Sequence, residues 1–339
     1  MERESKNSRI PWIDIAKGYG TILVIYAHLG VGPLWTWIYS FHMPLFFFLS
    51  GYVFSTKYDA KNFIKKKCKS ILVPYVCLGI PMVLFELLKY VDTGTYSQDV
   101  AMQLFENLLR QERFWTLWFI ACLFCLNLLF YALVRICKRE WIVAIVSFLL
   151  PMLGLWYYQN GGEPLPWNAD ACMMAIPFFY AGYCYKQHGQ RVDELLQNKF
   201  ISFMTFLICA VINVVCWKLS LDETGIGLEM FDSCYGNPIF TYIAAFAGIF
   251  VIVLAAKWVN IAPIRYLGEN SMLYYAWHQT IMIPVVRRGL AKLGLVAGAS
   301  DSLETFIYKL VAMLCIIVVL TVCNWCIKRL RLQWVLGRN

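Results

Sequence analysis

Apolar residues along this chain fall into long runs that are separated by short polar stretches. A helix needs about 20 mostly apolar residues to cross the hydrocarbon core of a bilayer. About ten runs approach this length, and several of them are short or carry polar interruptions. They cover residues 12–32, 37–56, 71–89, 114–134, 141–157, 170–186, 200–218, 237–256, 271–287 and 305–327. The pattern predicts an all-α, polytopic membrane helix bundle, with residues 1–339 as a single domain.

The composition also indicates a membrane protein. Hydrophobic residues make up 60% of the 339 residues and charged residues only 15%, whereas a soluble chain carries about 25% charged residues. Nothing indicates nucleic-acid binding, because the basic run at 57–70 contains no recognised nucleic-acid-binding motif. The thirteen cysteines lie mostly in apolar runs and lack zinc-ligand spacing. We therefore expect no metal site.

The distribution of basic residues predicts the orientation in the membrane. Cytoplasmic segments carry an excess of Lys and Arg. With both termini inside, 21 of the 30 Lys and Arg residues fall in inner segments and 7 in outer loops. This asymmetry predicts cytoplasmic termini and an even number of spans. The inner segment 57–70 carries the largest basic cluster.

The first two apolar runs contain ionisable residues, which are costly in hydrocarbon and usually face a protein interior or a water-filled cavity. At about 100° per residue, Asp14, Lys17 and His28 share one face of a helix. His42 enters the second run from the predicted outer side, at the depth of His28. The pattern favours a catalytic role for His28. For His42, a helix–helix contact and catalysis remain equal alternatives. Asp14 and Lys17 either neutralise each other or bind a ligand.

The ninth apolar run has a polar face of its own. Asn270, Tyr274 and His278 follow one another at intervals of four residues, beginning beside Ser271. His278 either orients a substrate or packs the bundle, and the pattern slightly favours packing. Trp118 is of a residue type enriched at membrane interfaces.

Several motifs resemble the membrane-bound acyltransferase family 3, and within it the branch named for fucose 4-O-acetylase. They are R-I-P-W-I-D-I-A-K-G from Arg9, then His28, then F-H-M-P-L-F-F-F-L-S-G ending at Gly51. A looser similarity continues through L-W-F-I at 117–120 and Y-L-G-E-N-S at 266–271. One departure stands out. Many relatives carry R-x-x-R before the third span, where this chain has Lys67, Cys68, Lys69 and Ser70.

The resemblance implies an O-acyltransferase that transfers acetyl from acetyl-CoA to a sugar hydroxyl of a surface polysaccharide or its lipid-linked precursor. Acetyl-CoA is then a co-substrate, no cofactor is tightly bound, and the location is a bacterial inner or plasma membrane, among its lipids. His28 is the expected general base, with a transient acyl carrier as the alternative. The expected site residues are His28, His42 and Asp14 for catalysis, Arg9, Lys17, Lys66, Lys67 and Lys69 for acyl-CoA, and Trp118, Asn270, Ser271, Tyr274 and His278 for the acceptor.

Without the resemblance, the inner lysines are more simply a topology signal. With it, their charge suits the phosphates of coenzyme A. Two other classes of function remain open. A transporter or flippase could use the same polar cavity, although we find no repeated halves with broken helices of the kind transporters often show. A membrane sensor or scaffold would have no dependence on acyl-CoA.

Overall fold

The computed structural model describes residues 9–30, 33–111, 113–225, 227–298 and 302–338. Within these ranges the chain is all-α, with one isolated β-bridge between Glu229 and Cys234. The α-helices are α1 (Pro11–His28), α2 (Pro33–Tyr39), α3 (His42–Tyr52), α4 (Ala60–Lys67), α5 (Val73–Asp92), α6 (Gln98–Arg110), α7 (Trp118–Cys137), α8 (Glu140–Gln159), α9 (Ala169–His188), α10 (Gln190–Leu195), α11 (Lys199–Thr224), α12 (Pro238–Trp258), α13 (Ala262–Glu269), α14 (Ser271–Trp277), α15 (Ile283–Lys292) and α16 (Leu303–Arg329).

Six helical stretches of the described chain are long and apolar enough to cross a membrane. They are Ala60–Asp92, Gln98–Cys137, Glu140–Gln159, Lys199–Thr224, Pro238–Trp258 and Leu303–Arg329. Large apolar side chains on their outer faces, such as Phe148, Leu207 and Val318, are exposed, as expected for contact with lipid. The chain is a multi-pass membrane protein, while the count of ten spans and the cytoplasmic termini stay predictions.

The second predicted span is two helices rather than one. α2 ends at Tyr39 and α3 begins at His42. The Ser40 hydroxyl donates to the Trp37 carbonyl oxygen, 2.7 Å away, and such local bonds compete with the helical backbone pattern. The break places Tyr39 and His42 on different helices, close to the end of α1.

Helix α1 lies in the interior and packs against α13, α12 and α3. Its crossing with α13 is a backbone-to-backbone contact between two glycines. A Cβ on Gly268 would lie 1.6 Å from the Asp14 carbonyl oxygen, and one on Gly18 would lie 2.1 Å from the Ile264 carbonyl oxygen. Only glycine allows this approach. The crossing therefore holds Glu269, which follows Gly268, against the first turns of α1.

The ninth predicted span is also divided. α14 leads into a π-helical turn, His278–Met282, before α15 begins. A second π-helical turn, Cys68–Leu72, joins α4 to α5. Such turns are rare and frequently occur at functional sites. Both turns carry residues that the sequence singles out, namely His278 and Lys69.

Candidate functional site

A cavity of about 320 Å³ lies at the end of α1 that bears His28. We call it the histidine cavity. Its ionisable and hydrogen-bonding members come from four separate regions of the chain, and they are His28, Tyr39, His42, Thr116, Glu229, Asp232 and Gln279. Its walls are largely aromatic, comprising Met43, Trp115, Trp118, Phe231 and Tyr275. A small concave site with few polar groups among apolar walls is typical of ligand pockets.

Backbone carbonyl groups fix the form of both histidines that line this cavity. His28 Nδ1 lies 2.9 Å from the Val24 carbonyl oxygen, and His42 Nδ1 lies 3.0 Å from that of Ile38. A carbonyl oxygen only accepts, so each Nδ1 must carry the hydrogen. In the neutral ring Nε2 then has the lone pair. The local helix geometry thus leaves Nε2 as the nitrogen through which each neutral imidazole can accept a proton.

Tyr39 joins the two histidines. Its hydroxyl donates a hydrogen bond to His28 Nε2, with the two atoms 3.0 Å apart. Its ring centroid lies 4.6 Å from that of His42. Tyr39 is the last residue of α2, so the break between α2 and α3 places it here. A proton arriving at the Tyr39 oxygen therefore has a direct hydrogen-bonded route to His28.

His278 lies behind His28 rather than in the cavity wall. The two ring centroids are 4.9 Å apart and the rings meet edge to face at 79°. His278 is fully buried and its Nδ1 lies within 3.0 Å of the Tyr274 and Tyr275 carbonyl oxygens. Its Nε2 has no hydrogen-bond partner among the described residues. An unsatisfied buried acceptor is costly, and it marks this contact as a feature that warrants a functional explanation.

The loop between α11 and α12 closes the cavity on one side. We call residues 227–237 the hairpin loop, because Glu229 and Cys234 exchange two backbone hydrogen bonds of 2.8 and 2.9 Å. Arg113 donates hydrogen bonds to the Asp170 carboxylate and to the Ser233 hydroxyl, each with a donor–acceptor distance of 2.5 Å. Asp170 belongs to α9, so this buried ion pair ties the hairpin loop to the bundle.

The hairpin loop brings two carboxyl groups to the cavity, on Glu229 and Asp232. Burial raises the pKa of the Glu229 carboxyl to about 8, and the neighbouring negative charge of Asp232 acts in the same direction. Arg113 and the Phe231 backbone N–H oppose this shift without cancelling it. Glu229 is therefore largely protonated at neutral pH and is able to donate a hydrogen bond.

A second pocket, of about 310 Å³, is lined by Lys69, Arg331, Gln333, Trp334 and Arg338. We call it the basic pocket. Arg338 donates hydrogen bonds to the Asn270 Oδ1, 2.8 Å away, and to the Glu269 carbonyl oxygen. The Glu269 carboxylate forms a salt bridge with Arg9 at 3.4 Å. Because Gly268 rests on Asp14, these contacts place the basic pocket near the other end of α1. The segment that follows α16 thus supplies most of its lining.

The predicted catalytic residues divide between the two ends of α1. His28 and His42 line the same cavity. Asp14 is buried beside the α13 crossing, and its Oδ2 has no partner in the described chain. Asp14 precedes His28 by fourteen residues, about 21 Å along a helix, so the fold does not bring it to the histidines.

The residues predicted to bind acyl-CoA are also separated. Lys69 lines the basic pocket and Arg9 lies nearby on Glu269. Lys66 donates a hydrogen bond to the Tyr58 hydroxyl, 3.0 Å away, and the Lys67 ammonium group lies above the face of the Phe63 ring. Lys17 is partly buried on α1, one turn after Asp14.

The residues predicted to bind the acceptor are spread over both ends. Trp118 lines the histidine cavity, and His278 contacts His28 from behind. Asn270 binds Arg338 and Asn324 near the basic pocket, beside Ser271 at the start of α14. The Tyr274 hydroxyl pairs with Thr321 at 2.7 Å inside the bundle.

Sequence reasoning missed Tyr39, Glu229 and Asp232 in the histidine cavity, and Arg331 and Arg338 in the basic pocket. Tyr39 could have been found, since it precedes His42 by three residues. The carboxyl groups of the hairpin loop carry a weaker signal, namely two acidic residues in a short loop between apolar runs. The two arginines follow the last apolar run, where basic residues are the usual topology signal.

The sequence of this chain is similar to that of known proteins. Residues 10–329 match the protein family described as "Acyltransferase domain". The chain is also similar to the nodulation protein NolL of Sinorhizobium fredii (strain NBRC 101917 / NGR234). The two are 32% identical over 301 residues, which is 79% of this chain and 77% of that protein.

Proposed function

Because the chain belongs to the acyltransferase-domain family and is a membrane acyltransferase, we propose that it transfers acetyl from acetyl-CoA to a sugar hydroxyl. The acceptor is a cell-surface polysaccharide or its lipid-linked precursor, in a bacterial inner or plasma membrane. The observation that carries the proposal is the hydrogen bond from Tyr39 to His28 Nε2 inside a cavity shared with His42. Acyl transfer to a hydroxyl requires such a base.

The proposed reaction is direct. The acceptor oxygen attacks the thioester carbonyl carbon, and its proton passes to the Tyr39 oxygen as Tyr39 gives its own proton to His28 Nε2. The new C–O bond forms, the C–S bond breaks, and the departing CoA thiolate takes the proton from His28 back through Tyr39. The His28 ring is held throughout by the Val24 carbonyl oxygen. His42 supports Tyr39 from the other side.

The donor binds, in this proposal, with its phosphates at the basic pocket. Lys69, Arg331 and Arg338 supply cations there, and basic side chains bind phosphate through charge-assisted hydrogen bonds. Coenzyme A is an extended molecule with phosphates at one end and the thioester at the other. Its thioester arm therefore lies along α1, past Lys17, toward the histidine cavity.

The experiment that tests this function measures the cell's own glycan. Deletion of the gene should remove an acetyl mass increment from one surface glycan, as seen by mass spectrometry. Membranes that contain the protein should incorporate label from acetyl-CoA into the same glycan. A deletion strain with an unaltered glycan, together with membranes that incorporate no label, would contradict the proposal. Loss of glycan export with normal acetylation would favour a transporter or flippase.

A further inference from the structure

The hairpin loop carries the chemistry of a sugar-binding surface, and this inference rests on the function proposed above. We propose that Glu229 and Asp232 hydrogen-bond the hydroxyl groups of a single hexose unit of the acceptor, while Trp118 and Phe231 pack against its ring. The hairpin loop is then the part of the protein that selects the acceptor, separately from the residues that carry out the transfer.

The position of the two carboxyl groups supports this assignment. Glu229 and Asp232 line the same cavity as His28 and His42. His42 is only 2% exposed, and its Nδ1 is committed to the Ile38 carbonyl oxygen. A ligand in this cavity therefore meets a lining that includes both the base and the hairpin loop. The protonated Glu229 carboxyl can both donate a hydrogen bond to a sugar hydroxyl and accept one from it.

The walls also suit a sugar. Trp118 and Phe231 lie with ring centroids 6.2 Å apart, nearly edge to face, and Trp115 and Tyr275 complete the aromatic lining. Aromatic rings offer an apolar face, and the C–H face of a hexose ring is the matching surface. A volume of about 320 Å³ is at the lower end for ligand pockets and suits one monosaccharide unit.

The charge of the hairpin loop argues against the donor as its ligand. Coenzyme A is strongly anionic, and like charges placed together disfavour binding. Asp232 is exposed, and Glu229 joins it in carrying negative charge as the pH rises. A neutral molecule rich in hydroxyl groups meets no such repulsion. The hairpin loop therefore fits the acceptor rather than the donor.

The loop is also fixed before any ligand arrives. The two hydrogen bonds between Glu229 and Cys234 close it, and Arg113 and Asp170 hold Ser233 in place. Groups that are already oriented lose less freedom when a ligand binds. This arrangement allows two carboxyl groups to define the orientation of a small sugar.

The test uses the purified full-length protein in detergent micelles and saturation-transfer NMR. The probes are the methyl glycosides of glucose, galactose, mannose, rhamnose and fucose. We expect at least one to receive saturation from the wild-type protein. Glu229→Met removes the hydrogen-bonding group at similar length and should weaken the Kd about tenfold. Glu229→Gln, which keeps a donor and an acceptor, should bind like wild type.

Two further variants keep the test independent of folding. Asp232→Ala changes an exposed side chain and should also weaken binding, by about threefold to tenfold. Glu163→Met changes an exposed glutamate on a different loop and should have no effect. The inference is overturned if no glycoside receives saturation, or if Glu229→Met and Asp232→Ala both bind like wild type.

The outcome separates this inference from the proposed function. Sugar binding that depends on Glu229 and Asp232, in a protein without acetyl transfer, would remove the proposed function and leave the hairpin loop as a sugar site. Acetyl transfer with an acceptor KM that is unchanged in Glu229→Met and Asp232→Ala would support the proposed function and remove the hairpin loop as the sugar site.

Discussion

The histidine cavity and the basic pocket lie toward opposite ends of α1 and differ in almost every chemical property. The histidine cavity contains two imidazoles, two carboxyl groups and aromatic walls. The basic pocket contains one lysine and two arginines, which come from the π-helical turn before α5 and from the segment after α16. One end therefore suits a neutral, hydroxyl-rich ligand, and the other suits an anion.

The difference explains how one protein can keep a donor and an acceptor apart. The Lys and Arg side chains of a phosphate-binding site are cationic. They would disfavour protonation of a base placed nearby, because like charges repel. Placing the phosphates about 20 Å from the base, at 1.5 Å per residue of α1, removes that conflict. Only the uncharged thioester then needs to approach His28.

The largest effect is expected at the base. His28→Ala and His28→Gln should each reduce turnover per folded molecule by about 10²–10⁴-fold, the usual contribution of a general base. Expression and unfolding temperature in detergent should stay near wild type, since His28 is partly exposed to the cavity. Turnover is measured with labelled acetyl-CoA and membranes that contain the native glycan. Retention of more than about a tenth of turnover in both variants would remove His28 from the mechanism.

The next largest effect is expected at Tyr39, which relays the acceptor proton to His28 in the proposed reaction. Tyr39→Phe removes the hydroxyl that donates to His28 Nε2 and should lower kcat by about 10²-fold, with little change in either KM. The matched control is Tyr26→Phe, on α1 but outside the cavity lining, which should leave kcat unchanged. If Tyr39→Phe has wild-type kcat, the acceptor hydroxyl reaches His28 without a relay.

The sequence predicts a good part of this arrangement. Long apolar runs predict the helices, and three intramembrane histidines predict a site where two of them share one depth. The division of the second span into α2 and α3 could not be predicted from the sequence. The Ser40–Trp37 hydrogen bond at the break lies within an apolar run whose composition suits one continuous helix. Glu229 and Asp232 line the same cavity as His28 only because the fold brings the loop between α11 and α12 there, and no local pattern encodes such long-range proximity.

The same reasoning explains the basic pocket. Lys66, Lys67 and Lys69 look equivalent in the sequence, but on a helix their side chains point in different directions around the axis. The structure directs Lys66 to Tyr58 and Lys67 to Phe63, and leaves only Lys69 of the three at the basic pocket. The contribution of Arg331 and Arg338 depends on the fold of the segment after α16, which carries no periodic pattern.

A smaller effect is expected at the basic pocket. Lys69→Gln combined with Arg331→Gln removes two exposed cations and should raise the KM for acetyl-CoA by about tenfold or more, because charge-assisted contacts are lost. The acceptor KM should not change. The comparison is the double variant Lys66→Gln, Lys67→Gln, whose side chains lie on aromatic rings and should affect the KM less. Equal effects in the two double variants would spread the phosphate site over the whole cluster.

The smallest effect is expected from the titration of Glu229. The groups that face it are Asp232, Arg113, His28, Tyr39, His42 and Tyr275. Its pKa is raised to about 8, so the acceptor KM should rise a few-fold above about pH 8 as the carboxyl loses its proton. Glu229→Gln should flatten this rise. The raised pKa also means that the folded state holds the proton more tightly, so the free energy of unfolding should fall as pH rises from about 4.5 to about 8. An acceptor KM with the same pH profile in both proteins would contradict this role.

The separation of donor and acceptor along α1 is tested most directly by the sidedness of the donor. Sealed membrane vesicles are prepared in both orientations, and labelled acetyl-CoA, which is too charged to cross a bilayer, is added outside. We predict that inside-out vesicles, which expose the predicted cytoplasmic face with Lys69 and Arg331, incorporate label into the glycan, and that right-side-out vesicles do so only after permeabilisation. His28→Gln vesicles provide the blank. Incorporation by intact right-side-out vesicles at the same rate would place the donor at the histidine cavity and contradict the account.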